Sequence, residues 1–309
     1  MYRYAIRRLL QLIPTLLGVA IITFIVMKVT PGGPFDSAGL GKRASPQVVA
    51  MLNAKYGLDK PLPVQFVRYV AHALHGDFGV SVQLQQDTPV GTIIKQGLGK
   101  TMILGFLALA VILLVSIPLG VIAALRQNRM ADYVSLLIAT GGASIPNFVL
   151  AILLVILFSV KLHVIPTQGW GTPRQAILPV ITLAFTPLAF LTRITRSSML
   201  DAMNQEYVQT ARSKGLHERA VVIRHMLRNA LIPVATVAGP LTAGLLTGSF
   251  IIENVFSIPG IGRLYLEAIQ QRDYPVIMAT TLLYAVILMF ANLIVDLLYG
   301  VIDPRVRYS

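Results

Sequence analysis

Few residues are placed to do chemistry. Gly97-Leu98-Gly99-Lys100-Thr101 contains the end of a phosphate-binding loop, in which glycine amides wrap a nucleotide's phosphates and the lysine reaches them. The full pattern needs a glycine five positions before Gly99, and that position is Ile94, with no buried strand ahead of it. The stretch reads instead as the polar start of a helix, and no ATP-hydrolysing machinery is legible in the chain. His72 and His75 are three apart at a helix end, a spacing that can pair on a metal ion, but no third ligand accompanies them. No G-x-S-x-G nucleophile elbow is present. Cysteine is absent, which removes disulfides, thiolate metal sites and a cysteine nucleophile. No catalytic, cofactor-binding or metal-binding residue is expected.

Two places remain. Asp296 lies near the inner end of the last apolar stretch, one helical turn after Asn292, so both face the same way. A carboxylate inside a membrane marks either a proton or ion relay or a polar lock to a neighbouring helix. The lock is the better reading, because a proton-coupled pump needs a chain of titrating groups. The second place is Ser197–Ala230. Met199, Met203, Tyr207 and Ala211 recur at helical spacing up to Gly215, and a second helical phase follows through Leu216, Ala220, Ile223, Leu227 and Ala230. This predicts two short amphipathic helices around a glycine turn, able either to lie on anionic lipid or to dock a soluble partner.

The elements that must carry these residues are set by composition. Of 309 residues, 55% are hydrophobic and 13% charged, with a mean hydropathy of +0.71. Soluble domains carry about 25% charge, so a cytosolic enzyme, a secreted disulfide scaffold and a disordered tail are excluded. Six apolar stretches approach the length of about 20 residues that spans a bilayer: Leu9–Val29, Met102–Leu125, Tyr133–Leu162, Ala176–Arg196, Leu231–Ile252 and Val276–Val301. The third is long enough to tilt or kink at Gly141, Gly142 and Pro146, and Thr182, Thr186 and Pro187 interrupt the fourth. The first is too long for a cleaved signal peptide and reads as a retained anchor.

Orientation follows from Lys and Arg. With the N-terminus in the cytoplasm, fourteen basic residues fall in cytoplasmic segments and four in the two short outer loops. An even number of spans brings the C-terminus inside as well. The net charge of +13 is thereby explained without nucleic acid. The expected organisation is 1–29 cytoplasmic N-terminus and first span, 30–101 a small extracytoplasmic domain, 102–196 spans two to four, 197–230 a cytoplasmic loop, and 231–309 the last two spans and C-terminus. In the outer domain, Pro46 to Tyr56 and Pro63 to Leu74 read as helices, ended by Gly57 and near Gly76.

The loop is also where a family becomes recognisable. Gln209-Thr210-Ala211-Arg212-Ser213-Lys214-Gly215, closing at Leu231-Ile232-Pro233, resembles the "EAA…G…LP" loop of ABC-importer permeases. Gln209 stands where the general pattern has glutamate and Thr210 where it has its first alanine, while Ala211 and Gly215 match. The 18-residue step from Gly215 to Pro233 is similar to the dipeptide, oligopeptide and nickel subset. So are Arg7-Arg8-Leu9 to Ile13-Pro14-Thr15, Pro31-Gly32-Gly33-Pro34-Phe35, His75-Gly76-Asp77-Phe78-Gly79, Glu253-Asn254-Val255-Phe256 to Pro259-Gly260-Ile261-Gly262, Arg272-Asp273-Tyr274-Pro275, and Asp296-Leu297-Leu298-Tyr299 to Asp303-Pro304-Arg305. The likeness covers nearly the whole chain and is greatest to oligopeptide permeases.

The resemblance implies an all-α polytopic membrane protein with six transmembrane helices, of the type I ABC-importer (MetI-like) permease fold, in a bacterial inner membrane. It implies a pathway shared with a second homologous permease, two cytoplasmic ATPase subunits holding ATP and Mg, and an extracytoplasmic peptide-binding protein that delivers substrate. Dipeptides, glutathione or nickel chelates are the alternative cargoes. An ion-coupled secondary transporter is the rival class, and lacks the broken half-helices and midplane ligands it would need. The resemblance makes Tyr207, Gln209, Thr210, Ala211, Arg212, Lys214, Gly215 and Leu216 the ATPase contact: Ala211 and Gly215 small for close approach, Arg212 and Lys214 pairing with acidic groove edges.

Overall fold

The computed structural model describes residues 2–30, Phe35 and 46–302. Every regular element among them is a helix, and the one β-bridge, Val80 with Pro89, is isolated. The motif residues Pro31 to Pro34 and the basic residues Arg305 and Arg307 lie outside the described residues.

α1 (Tyr2–Val29) packs on the last helix, Tyr274–Ile302, and exposes Leu10, Ile13, Ile22 and Ile25, as a lipid-facing helix must. α2 (Pro46–Lys55) and α3 (Leu62–Leu74) follow the expected bounds closely. Gly57 and Gly76, which end them, sit at φ +68° and +78°. α4 (Val90–Leu125) starts at Val90 rather than Met102, so the last part of the expected outer domain belongs to the span's own helix. At 36 residues it is about 54 Å long, against a hydrocarbon core of about 30 Å.

The third apolar stretch is broken, not kinked. α5 (Met130–Ser144) ends at Ile145, whose backbone is extended (φ −93°, ψ 119°), and α6 (Asn147–Leu154) restarts after Pro146 and runs on as a π-helical turn through Lys161. The proline ring pushes the preceding residue out of the helical region, which interrupts the ladder.

α7 (Pro173–Met203) runs straight through Pro179 and Pro187 and is the central helix. Half of its most apolar window is buried within the protein. Its modest hydropathy fits this burial: a helix half covered by protein needs less lipid-facing surface. Thr182, Thr192 and Thr195 are buried in it, each donating its hydroxyl to the carbonyl four residues back, at 2.7, 2.8 and 2.8 Å. The main core joins α4 and α7 through Leu104, Ile112, Leu178 and Leu191.

α8 (Glu206–Ser213) is short. After it, α9 (Glu218–Ala220), a π-helical stretch (Val221–Leu227) and α10 (Arg228–Leu246) form one continuous apolar helix, Glu218–Leu246. The expected span Leu231–Ile252 is therefore displaced toward the N-terminus. Its last residues form a separate helix, α11 (Phe250–Val255), started by Ser249, whose Oγ accepts from Ile252 N. α12 (Ile261–Gln271) and α13 (Tyr274–Ile302) complete the chain.

Among the described residues five helices are long and apolar enough to cross a membrane: Leu10–Val29, Val90–Leu125, Pro173–Met203, Glu218–Leu246 and Tyr274–Ile294. The broken pair α5–α6 is the sixth apolar element of the polytopic all-α fold.

Candidate functional site

The loop between α7 and α10 is built from α8 and the turn after it. Glu206 opens α8, its charge favourable at the positive end of a helix. Thr210 Oγ1 donates to Glu206 O at 3.0 Å. Val208 and Ala211 point inward and are buried with Met199, Val221 and Met226, which fixes α8 against the end of α7 and the π-helical stretch that leads into α10. The turn closes with Gly215 N donating to Arg212 O at 2.9 Å. The next helix begins with Arg219 N donating to His217 Nδ1 at 3.2 Å. Arg212 Nη2 reaches Glu218 Oε1 at 2.7 Å across the turn.

Four expectations change. Met199 and Met203 belong to α7, and the second phase of the loop is the opening of the fifth long helix, so α8 is the one separate helix between Asn204 and Gly215. Ala211 is small because it packs inside this chain, where it is 3% exposed, not because it meets an outside partner. Gly215 is required by its backbone: φ is +74°, while an added Cβ would meet nothing within 4 Å. Arg212, read as a contact for acidic partner residues, is paired with Glu218 of its own chain. Tyr207, Gln209, Thr210, Lys214, Gly215 and Leu216 remain exposed, so with Arg212 seven of the eight loop residues reach solvent and Ala211 does not.

Asn292 is half-buried on α13. Asp296 lies on the same helix; its side chain falls outside the described residues.

Three buried acids escaped sequence reasoning. Asp132, at 1% exposure, pairs with Arg196, whose Nη2 lies 2.8 Å from Oδ2, and so ties α5 to α7. Asp273 is fully buried at the start of α13 and accepts from four groups of one loop: Ser81 Oγ at 2.5 Å, Val82 N at 3.3 Å, and Gln83 N and Leu84 N at 3.0 Å each. An acid just ahead of Tyr274-Pro275 and an apolar run is a helix-start signal, so its place was readable, although its loop partners were not. Glu253 is fully buried in α11 and accepts from Thr101 Oγ1 at 2.9 Å and Arg263 N at 3.0 Å. Burial pushes its carboxyl above the ordinary value of 4.5, against the pull of the Arg263 and Thr101 hydrogen bonds. Its signal was a lone acid in the apolar run Ile251-Ile252-Glu253-Asn254-Val255. His75 Nδ1 lies 2.8 Å from Ala71 O of its own helix.

An all-helical bundle with five helices long and apolar enough to cross a bilayer among its described residues defines a multi-pass membrane protein. Residues 116–308 match the family described as "Binding-protein-dependent transport system inner membrane component", and residues 1–104 match "Binding-prot-dependent transport system membrane comp, N-term". The chain belongs to this family of ABC-importer permeases.

It is 43% identical over 307 residues to the dipeptide transport system permease protein DppB of Bacillus subtilis (strain 168), covering 99% of this chain and 98% of that one. It is 40% identical over 318 residues to the oligopeptide transport system permease protein AppB of the same organism, covering both chains fully. The glutathione transport system permease protein GsiC of Salmonella typhimurium is 41% identical over 309 residues, again with full coverage of both. Among solved structures, the inward-facing MetNI methionine ABC transporter matches with a TM-score of 0.54 at 17% identity, covering 69% of this chain and 97% of that one. An amino acid ABC transporter solved with histidines matches with a TM-score of 0.52 at 18% identity, over 67% and 93%. These two speak for the fold alone, which is the MetI-like one.

Proposed function

We propose that this chain is the membrane subunit of an ATP-driven importer of short peptides, oligopeptides included, and forms the pathway together with a second, homologous permease. Two cytoplasmic ATPase subunits, holding ATP and Mg, work it, and an external peptide-binding protein loads it. The single observation that carries this reading is the exposed α8–Gly215 turn, braced by its own core and set against the ends of α7 and α10, in a chain of this family. A motor contact has to be rigid in itself and continuous with the helices it moves. Because α9 runs unbroken into α10, a push on the turn acts directly on a spanning helix.

The N-terminus, the α8 turn and the C-terminus face the cytoplasm, and the segment with α2 and α3 faces outward. The bias of Lys and Arg supports this arrangement. The cargo names carried by the relatives (dipeptide, oligopeptide, glutathione) share the peptide bond, which supports peptides over nickel chelates. Substrate exchange requires two arrangements of similar free energy, biased by ATP on one side and by the loaded binding protein on the other.

The test is uptake into proteoliposomes holding the complete complex, with the proton gradient collapsed. Accumulation of labelled di- to pentapeptides that depends on ATP and on the binding protein is expected. Accumulation that follows an ion gradient and ignores ATP would overturn the reading.

A further inference from the structure

α4 and α12 turn matching faces toward each other. Gln96, Gly97 and Lys100 lie on one face of α4, and Arg263 and Glu267, one turn apart, lie on α12. At one end the two backbones touch. A Cβ on Gly97 would sit 3.0 Å from Gly260 C and 3.1 Å from Ile261 N, so glycine is what lets them approach. Thr101 fixes this register: its Oγ1 accepts from Ile261 N at 2.9 Å and donates to Glu253 Oε1 at 2.9 Å. Beyond the contact the helices part around a cleft of about 270 Å³, whose polar lining is Gln85, Gln96, Lys100, Arg263 and Glu267.

The charges in this cleft are unequal. Arg263 Nε donates to Glu267 Oε1 at 2.7 Å, and the two offset each other. Lys100 is half-buried and joins no ion pair among the described residues. What remains is one ammonium on a fixed helix, flanked by two carboxamides that can each donate and accept. An ammonium selects a carboxylate, and a carboxamide pairs with a peptide group in either direction. We propose that this cleft, at the end of the bundle where α4 begins, is a subsite for the C-terminal carboxylate and last peptide group of the transported chain. The inference rests on the peptide reading above. Lys100 holds the carboxylate, Gln85 and Gln96 take the adjoining amide, and the Thr101–Glu253 contact keeps the two walls in register.

The experiment compares uptake of one peptide as free acid and as C-terminal amide, by the complete complex with one binding protein throughout, so that protein's own preference cancels. The wild-type complex should prefer the free acid. Lys100→Gln should shrink the free-acid to amide ratio about tenfold, as loss of a charge-assisted hydrogen bond does. Lys100→Arg should keep it. If Lys100→Gln does not assemble, Glu267→Gln serves instead: freeing Arg263 adds positive charge and should enlarge the ratio. A ratio unmoved by these variants, or equal loss of both forms, overturns the subsite while leaving peptide transport standing. A wild-type complex that takes up neither form overturns the peptide reading, and the subsite falls with it.

Discussion

Arg212 and Glu218 form an ion pair of 2.7 Å that spans the Gly215 turn and joins α8 to the first residue of α9. Both side chains are exposed, so the pair adds little to global stability. Its effect is geometric. With Ala211 and Val208 buried beneath, it holds the turn in one shape and fixes α8 to the helix that becomes α10.

The turn's shape depends most on Gly215. Its φ of +74° costs any L residue about 1–2 kcal/mol, and a β-branched one more. Since nothing lies within 4 Å of an added Cβ, Gly215→Val should fold and reach the membrane while distorting the turn. ATP hydrolysis by the complex should persist and peptide uptake should fall at least tenfold. Parallel assays of hydrolysis and uptake check this, and unchanged uptake would count against it.

Ala211 and Arg212 are neighbours with opposite expectations. Ala211→Leu overpacks the cluster with Met199, Val221 and Met226 and should cost about 1–3 kcal/mol, seen as a lowered Tm of the detergent-solubilised complex. Arg212→Ala removes an exposed pair and should leave Tm nearly unchanged.

That contrast marks what the residues alone could disclose. The glycines ending α2 and α3, and the helix closing at Gly215, were legible because local chemistry decides them. The division at Ile145–Pro146 was half legible: proline marks the place, but whether a membrane helix bends or breaks there depends on its neighbours. The continuity of α9 with α10 was hidden because charged residues interrupt its apolar pattern. Asp132, Glu253 and Asp273 were missed for a different reason. Each is held by a partner far away in sequence, which hydropathy does not identify even where it marks the acid's place.

Asp273 gathers the most donors from one distant loop. Asp273→Ala would strand its donors on Ser81, Val82, Gln83 and Leu84, at about 1–3 kcal/mol for each that stays buried and unpaired. The segment between α3 and α4 should then exchange amide hydrogens faster and become protease-sensitive, with Asp273→Asn intermediate. Unaltered exchange over residues 80–89 would contradict the assignment.

Glu253 gives a pH dependence with a definite sign. Its folded carboxyl holds its proton above the ordinary value of 4.5, so the folded state binds more protons than the unfolded one. This contribution to stability is fully present below about pH 4.5, is lost as pH rises toward the folded value, and then levels off. Glu253→Gln should remove that segment of the pH–stability curve. Thermal unfolding of both proteins across pH 4 to 8 checks it, and parallel curves would contradict it.

The central claim is that the α8 turn is the surface gripped by an ATPase subunit, and cysteine cross-linking tests it most directly. The chain has no cysteine, so Gln209→Cys and Leu216→Cys each create a single reactive site on the exposed turn. In the assembled complex a short bifunctional reagent should join both positions to an ATPase chain, with a yield that changes when ATP is added. Gln83→Cys, at the opposite end of the bundle, should give no such product. Adducts from the turn only to lipid, or to the partner permease with no ATPase product, would contradict the account.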